Sequence, residues 1–302
     1  MLNRNGLSLA GVLLAAGSTG VMGTGVEAAQ LVNLSFEETS GTSVADDIGP
    51  LFSTGTLANI ETPPIGSGNT TLPNLNVDGI VGSGVQFDGV NDFLRFENAG
   101  NNDFFATGDF TLTVWAKDLT NEVGAARLFD YSNTSGDIAQ AGAQGYRSFF
   151  NGSTIQFQGG IAGSTDNFKL AGTRSVNDDG WSLIVLRYDT DGEAEITVLY
   201  DDEAGDVDAA FVGTITDSIA AIGTLTIAGN SPRFAGRADN GGVANVGGVL
   251  DEVTFWDESL TDQQVVDLYF SVIPEPSSLA LLAVGGGLIV ARRRRSGTKA
   301  SA

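Results

Sequence analysis

The 302-residue chain has no cysteine, no histidine and only three lysines, Lys117, Lys169 and Lys299. Without cysteine or histidine it cannot build a Ser/His/Asp triad, a Cys/His dyad, a zinc site of those ligands or a disulfide framework. A lipid-anchored export signal, which needs a thiol, is excluded as well. Bases of any kind are scarce, 15 against 37 acids, for a net charge of −22. Duplex affinity comes largely from lysine and arginine displacing counterions, so no nucleic acid partner is expected. No glycine-rich phosphate loop with a lysine is present, and the 41 glycines are spread through turns.

The few bases are also unevenly placed. Arg4 lies before residue 30, and Arg292, Arg293, Arg294, Arg295 and Lys299 lie after residue 273, which leaves nine bases between them. Thirty-five of the acids share that central region, so it carries −26. The ends therefore differ in kind from the middle.

One positive charge, the short apolar run LSLAGVLLAAG and small residues ending in VEAAQ make 1–29 a secretory signal peptide, cleaved after Ala28 or Ala29. The apolar run is much shorter than the ~20 residues that a spanning helix needs. At the other end, Pro274 and Pro276 block helix on either side of Glu275. An apolar segment over 277–291 follows, and four consecutive arginines, Arg292, Arg293, Arg294 and Arg295, close it. Such a cluster holds the chain end on the cytoplasmic side while the apolar segment sits in the inner membrane, as a stable or a transient transmembrane anchor. This three-part tail, 272–297, resembles the PEP-CTERM sorting signal of Gram-negative bacteria. The resemblance implies recognition of Pro274-Glu275-Pro276 by an exosortase and delivery to the cell envelope, outer surface or extracellular matrix.

Between the tags, apolar and polar residues alternate as in strands with one buried face. In 31–36, Val32, Leu34 and Phe36 share a side; Phe110, Leu112, Val114 and Ala116 do the same, with Thr111, Thr113 and Trp115 opposite. The run WSLIVLRYD is apolar on both faces, as in a central strand. Near the end, alternation puts Val249, Asp251, Val253 and Phe255 on one face and Leu250, Glu252, Thr254 and Trp256 on the other. One helix is expected, with Thr261 as N-cap, Gln264 at the capping-box position and Val265, Leu268 and Tyr269 as its buried stripe. The Thr/Pro/Gly/Asn-rich stretch 54–76 reads as a long surface loop. Many short strands with almost no helix indicate one all-β antiparallel sandwich over 30–271.

A series of motifs in fixed order suggests which sandwich. LSFEETSGTSVADD, GIVGSGVQFDGVNDFLRF, GDFTLTVWAK, GWSLIVLRYD and GGVLDEVTFWDESLTDQQVVDLY follow one another along the chain. The series resembles the laminin-G-like, concanavalin A-like jelly-roll family of bacterial surface proteins, which implies two antiparallel sheets. It also implies a structural Ca²⁺ held by Asp251 with Glu37 and carbonyls around Phe36, Glu37 and Gly41. From the residues alone Asp251 is an acid in an apolar row, a costly placement unless it binds a metal, pairs with an arginine or caps loop amides. Calcium favours such mixed oxygen ligation.

Other acids have simpler readings. Asp88, Asn91 and Asp92 suit an Asx turn, and Asp189–Glu193 suits a hairpin turn. The same fold carries glycoside hydrolases, whose family motif Glu-x-Asp-x-x-Glu is approached only by Glu193-Ala194-Glu195-Ile196-Thr197-Val198, with valine where the second Glu belongs. No catalytic residue is therefore assigned. Aromatic rings stack on sugar faces, and Trp115, Trp256, Tyr131 and Tyr146 are the candidates; the sequence does not choose among them. The expected function is a surface- or matrix-associated adhesion module for extracellular polysaccharide. A polysaccharide-cleaving enzyme and a structural matrix protein without specific ligand are the alternatives.

Overall fold

A computed structural model describes residues 28–47, 55–59, 72–96, 108–120, 125–134, 138, 143–162, 167–175, 180–201, 212–220, 223–226, 231–237 and 245–272. The expected signal peptide, up to residue 27, and the sorting segment after residue 272 lie outside them. In chain order the first strands are β1 (Gln30–Leu34), β2 (Ser43–Val44), β3 (Gly55–Asn59), β4 (Asn74–Asp78), β5 (Ser83–Asp88) and β6 (Asp92–Phe96). Then come β7 (Phe110–Thr120), β8 (Arg127–Ser132), β9 (Gly145–Asn151), β10 (Thr154–Gly159) and β11 (Phe168–Ser175). The last are β12 (Ser182–Tyr188), β13 (Glu193–Asp201), β14 (Val212–Ala220), β15 (Arg233–Phe234) and β16 (Gly247–Trp256), followed by helix α1 (Asp262–Val272).

The strands form two sheets of eight, and every strand pairing within them is antiparallel. The first runs β14-β13-β12-β7-β16-β5-β4, with β1 also on β16; the second runs β11-β10-β9-β8-β15-β6-β3-β2. This is the expected jelly-roll sandwich. The stretch expected as a loop instead supplies β3 and the start of β4, one near an edge of each sheet. Strands near an edge need little apolar content, which is why 54–76 reads as loop in sequence.

Alternation holds along β1, β7 and β12. Val32, Leu34, Leu112, Val114, Ile184 and Leu186 all enter the core between the sheets. Leu183 and Val185 face outward with Trp115, and α1 covers them with Val265 and Tyr269. The helix begins as its sequence predicts: Gln264 N–H donates to Thr261 Oγ1 (3.3 Å), and Thr261 N–H donates to Gln264 Oε1 (2.8 Å). Arg187 then ties it to the sheet. Its guanidinium donates to Leu260 C=O (2.8 Å) and Asp262 Oδ1 (2.7 Å) and pairs with Glu195 at 2.8 Å.

Along β16 the alternation fails. Asp251 pairs with Trp115 but Thr254 with Thr113, so β16 carries one residue more than β7 there, and Glu252 takes φ 45°. This β-bulge corrects the expected faces. Leu250, Val253 and Phe255 enter the core, while Asp251, opposite Trp115, faces away from it.

Two turns also behave as read. Asp88 Oδ1 accepts Val90 N–H (2.8 Å) and Asn91 N–H (3.2 Å), an Asx turn; Asp189 Oδ1 accepts Asp191 N–H (2.9 Å) in the β12–β13 hairpin. Asp92, 2% exposed, accepts Asp88 N–H, and burial pushes its carboxyl from 3.8 up to about 7.

Two predictions follow from this packing. Trp115 is 1% exposed and lies on Tyr269 with ring centroids 5.0 Å apart, so Trp115→Ala is expected to cost about 3–5 kcal/mol in urea unfolding. A change below 1 kcal/mol would show that the ring is not core. For Asp92 the folded pKa exceeds the unfolded one, so the fold binds the extra proton between about pH 4 and pH 7. Its contribution is present below that window and lost as pH rises through it. Melting temperature should fall less steeply from pH 5 to pH 7 in Asp92→Asn than in wild type, and identical slopes would refute the shift.

Candidate functional site

The two candidate metal ligands, Asp251 and Glu37, meet at one loop. The turn between β4 and β5, 79–82, lies against both carboxylates. Asp251 Oδ2 accepts the N–H groups of Ile80 (2.8 Å) and Val81 (3.1 Å), and its Oδ1 accepts Glu252 N–H (2.8 Å). Glu37 Oε1 accepts Ser83 N–H (3.2 Å). A Cβ at Gly79 would meet Asp251 Oδ2 at 2.4 Å, and one at Gly82, where φ is +57°, would meet Glu37 Oε1 at 2.1 Å. Glycine is what lets the loop come this close.

Asp251 is fully buried, and desolvation raises its carboxyl to about 7, opposed by the amide bonds. Both of its oxygens are directed at amide hydrogens, which compete with a cation for the same lone pairs. Among the described residues no group of three or more Asp, Glu, His or Cys stands where it could share a metal ion. Of the three roles open to Asp251 in sequence, the structure displays the capping of loop amides.

Glu195, the other acid of interest, is held by Arg187 and serves the attachment of α1; burial raises its carboxyl, with Arg187 opposing. Glu193 is exposed at the start of β13.

The outer face of the second sheet was not anticipated. Its paired residues form one row across six strands: Arg95, Arg233, Asp130, Arg147, Gln158 and Lys169. Arg127 and Arg147 lie over Phe149, at 4.7 and 5.4 Å from the ring centroid, and Arg233 over Phe93 at 4.4 Å. Loop carbonyls close the row from above, Thr134 C=O on Arg147 (3.1 Å) and Arg237 C=O on Arg233 (2.7 Å). Arg127, Arg147 and Arg233 are at most 5% exposed, so this lattice anchors loops and offers no open surface at its centre. Isolated arginines in a pattern of period two gave no sequence signal for it.

The four aromatic candidates separate. Trp115 packs under α1, and Tyr131 is buried edge-to-face on Tyr146, 5.7 Å between centroids. Tyr146 and Trp256 instead line one pocket of about 220 Å³ at the end of the sandwich where β1 and β7 begin and β16 ends. Phe110, Phe255 and Leu31 complete its apolar wall, and Asp109 and Asp257 stand beside it. Tyr146 stacks on Phe110 at 4.9 Å, and burial raises its phenol well above the usual range. Its hydroxyl and the indole N–H of Trp256 are buried with no hydrogen-bond partner among the described residues. Neither atom has open surface, so a ligand in the pocket meets other atoms of these residues. Asp109 Oδ1 accepts the N–H (2.8 Å) and the hydroxyl (2.7 Å) of Thr190, and Asp257 Oδ1 accepts Ala29 N–H (2.8 Å).

Comparison with known proteins places this geometry. The PEP-CTERM protein-sorting motif matches 272–295, which implies export, a C-terminal membrane segment and processing by an exosortase. No curated protein matches the chain. Among solved structures, the binding domain of paraclostridial mosquitocidal protein 1 aligns with TM-score 0.50 and 14% identity over 80% of this chain and 52% of that one. The receptor binding domain of botulinum neurotoxin mosaic serotype C/D aligns with TM-score 0.51 and 11% identity over 80% and 50%. This chain thus spans about half the length of those structures, and the likeness is one of fold. The family model of the concanavalin A-like lectin/glucanases superfamily, of laminin G type, matches 88–266, more than half of the chain, and the chain belongs to that family.

Proposed function

We propose that this protein is an exported, envelope- or matrix-associated module that binds extracellular polysaccharide, taking one neutral sugar unit in the pocket between Tyr146 and Trp256. The observation that carries the reading is the aromatic wall of one pocket, Tyr146, Phe110, Phe255 and Trp256, with Asp109 and Asp257 beside it. Such a wall suits the apolar face of a pyranose. At about 220 Å³ the pocket is below the roughly 300–1,000 Å³ of sites for larger ligands, which fits a single residue of a chain. Asp109 and Asp257 can accept hydroxyl hydrogens, whereas a uronate would meet two carboxylates. Export through the sorting motif puts such a module where polysaccharide is found.

A cleaving enzyme of this fold has less support. Glycosidases need two carboxylates flanking the scissile bond, and Glu195 is engaged by Arg187. The reading needs no calcium, because neither Asp251 nor Glu37 lines the pocket.

Binding is tested on a glycan array with wild type and Trp256→Ala. The change removes the half-buried ring from the pocket wall, so it should weaken binding about 2- to 12-fold, the range for one ring contact. Binding unaffected by the change would sink the pocket as the site, and binding to no glycan would leave the structural matrix role. In the same assay EDTA should change neither binding nor melting temperature. A clear fall in either would restore a metal at Asp251 and Glu37.

A further inference from the structure

The polarity of one strand end points to the site of leader removal. Ala29 N–H donates to Asp257 Oδ1 (2.8 Å), and Asp257 N–H donates to Ala29 C=O (3.1 Å). These two bonds extend the β1–β16 ladder by one step beyond the Gln30–Trp256 pair. A cut after Ala29 would delete both bonds. A cut after Ala28 keeps both and removes only a small side chain that packs, partly buried, against the cluster under α1.

The residues before the bond agree. Cleavage after Ala28 places Val26 and Ala28 at the two positions where a leader peptidase takes small apolar side chains, whereas cleavage after Ala29 puts Glu27 at the first of them.

We propose that the leader is cut between Ala28 and Ala29 and that the new α-amino group of Ala29 forms an ion pair with Asp257. The step is hydrolysis by an endopeptidase of the export machinery. Water adds across the Ala28–Ala29 amide, its hydroxyl completes the carboxylate that leaves with Ala28, and the nitrogen of Ala29 gains hydrogen and becomes an ammonium. A hydrogen bond from a neutral amide to the carboxylate thereby becomes one between two opposite charges. Because Asp257 also lines the sugar pocket, processing offsets one of the two carboxylates there. The proposal does not depend on the sugar reading.

Two measurements test it. Intact mass and N-terminal sequencing of the full chain exported from a Gram-negative host should give Ala29 as first residue; Gln30 or any other first residue overturns the assignment. In that exported protein, reductively methylated with ¹³C, the N-terminal amine should titrate about half a pH unit higher in wild type than in Asp257→Asn. Equal titration overturns the ion pair while leaving the cleavage site standing. Asp257→Ala serves the same comparison should Asp257→Asn not fold.

Discussion

The single extra residue in β16, at Asp251–Glu252, is the constraint from which the arrangement of the first sheet follows. β16 is shared by three strands: β7 along one side, and β5 and β1 in succession along the other. With β5 pairing 247–250 and β1 pairing 253–256, the bulge falls in the gap between them. There it reverses the strand's faces, so that Leu250 above it and Val253 and Phe255 below it all reach the core. The same reversal puts Asp251 outside, where the gap would leave the amides of the 79–82 loop without strand partners. A carboxylate at that point satisfies two of them at once, which offsets its own desolvation. Glycine at 79 and 82 is then required by the closeness of the two acids.

Below the bulge, the end of β16 organises the end of the molecule that carries the pocket. Phe255 and Trp256 point to opposite faces of one strand end, yet both line the pocket, because the pocket opens where the sheet stops. Asp257, the next residue, accepts the N–H of Ala29, near the start of the described residues. A few residues later Leu260 and Asp262 are seized by Arg187, and Thr111 Oγ1 both donates to Glu258 C=O and accepts Leu260 N–H, 2.8 Å each. Within about one turn of chain, therefore, the strand closes the pocket, holds the N-terminal strand and launches the helix that leads into the sorting motif.

Much of the fold was legible because its strands obey period two and its helix carries a capping box, both local signals. The hairpin at Asp189–Glu193 and the Asx turn at Asp88 were legible for the same reason. What failed was whatever depends on a single inserted residue or on distant partners. A bulge leaves no mark in an alternating string, so Asp251 was placed in the wrong row. β3 lies in a segment too poor in apolar residues to announce a strand. Of the aromatic candidates, Tyr146 and Trp256 are 110 positions apart in numbering and on different sheets, so only the packing of the two sheets could bring them together. Trp115, Tyr131 and Tyr146 are all absorbed into the core at 1% exposure or less, so of the four rings only Trp256 keeps open surface.

The charge distribution bears on the partner. Of the nine bases in the central region, Arg127, Arg147, Arg187 and Arg233 are buried at 5% exposure or less, each bonded to loop carbonyls or carboxylates inside the fold. The acids are not withdrawn in proportion: Asp92, Asp130 and Asp251 are the buried carboxylates among the described residues. The surface presented to solvent is thus more one-sided than −26 implies, because the cations that could balance it serve as internal anchors. A polyanion approaching such a surface meets repulsion that reaches about 8–10 Å at physiological ionic strength. A neutral glycan does not, and on the proposed reading it needs only local contacts with the aromatic pocket at Trp256. The same scarcity of exposed bases in the folded part is what makes the arginine cluster at 292–295 stand apart, a charge placed to fix topology at the membrane rather than to recognise a partner outside it.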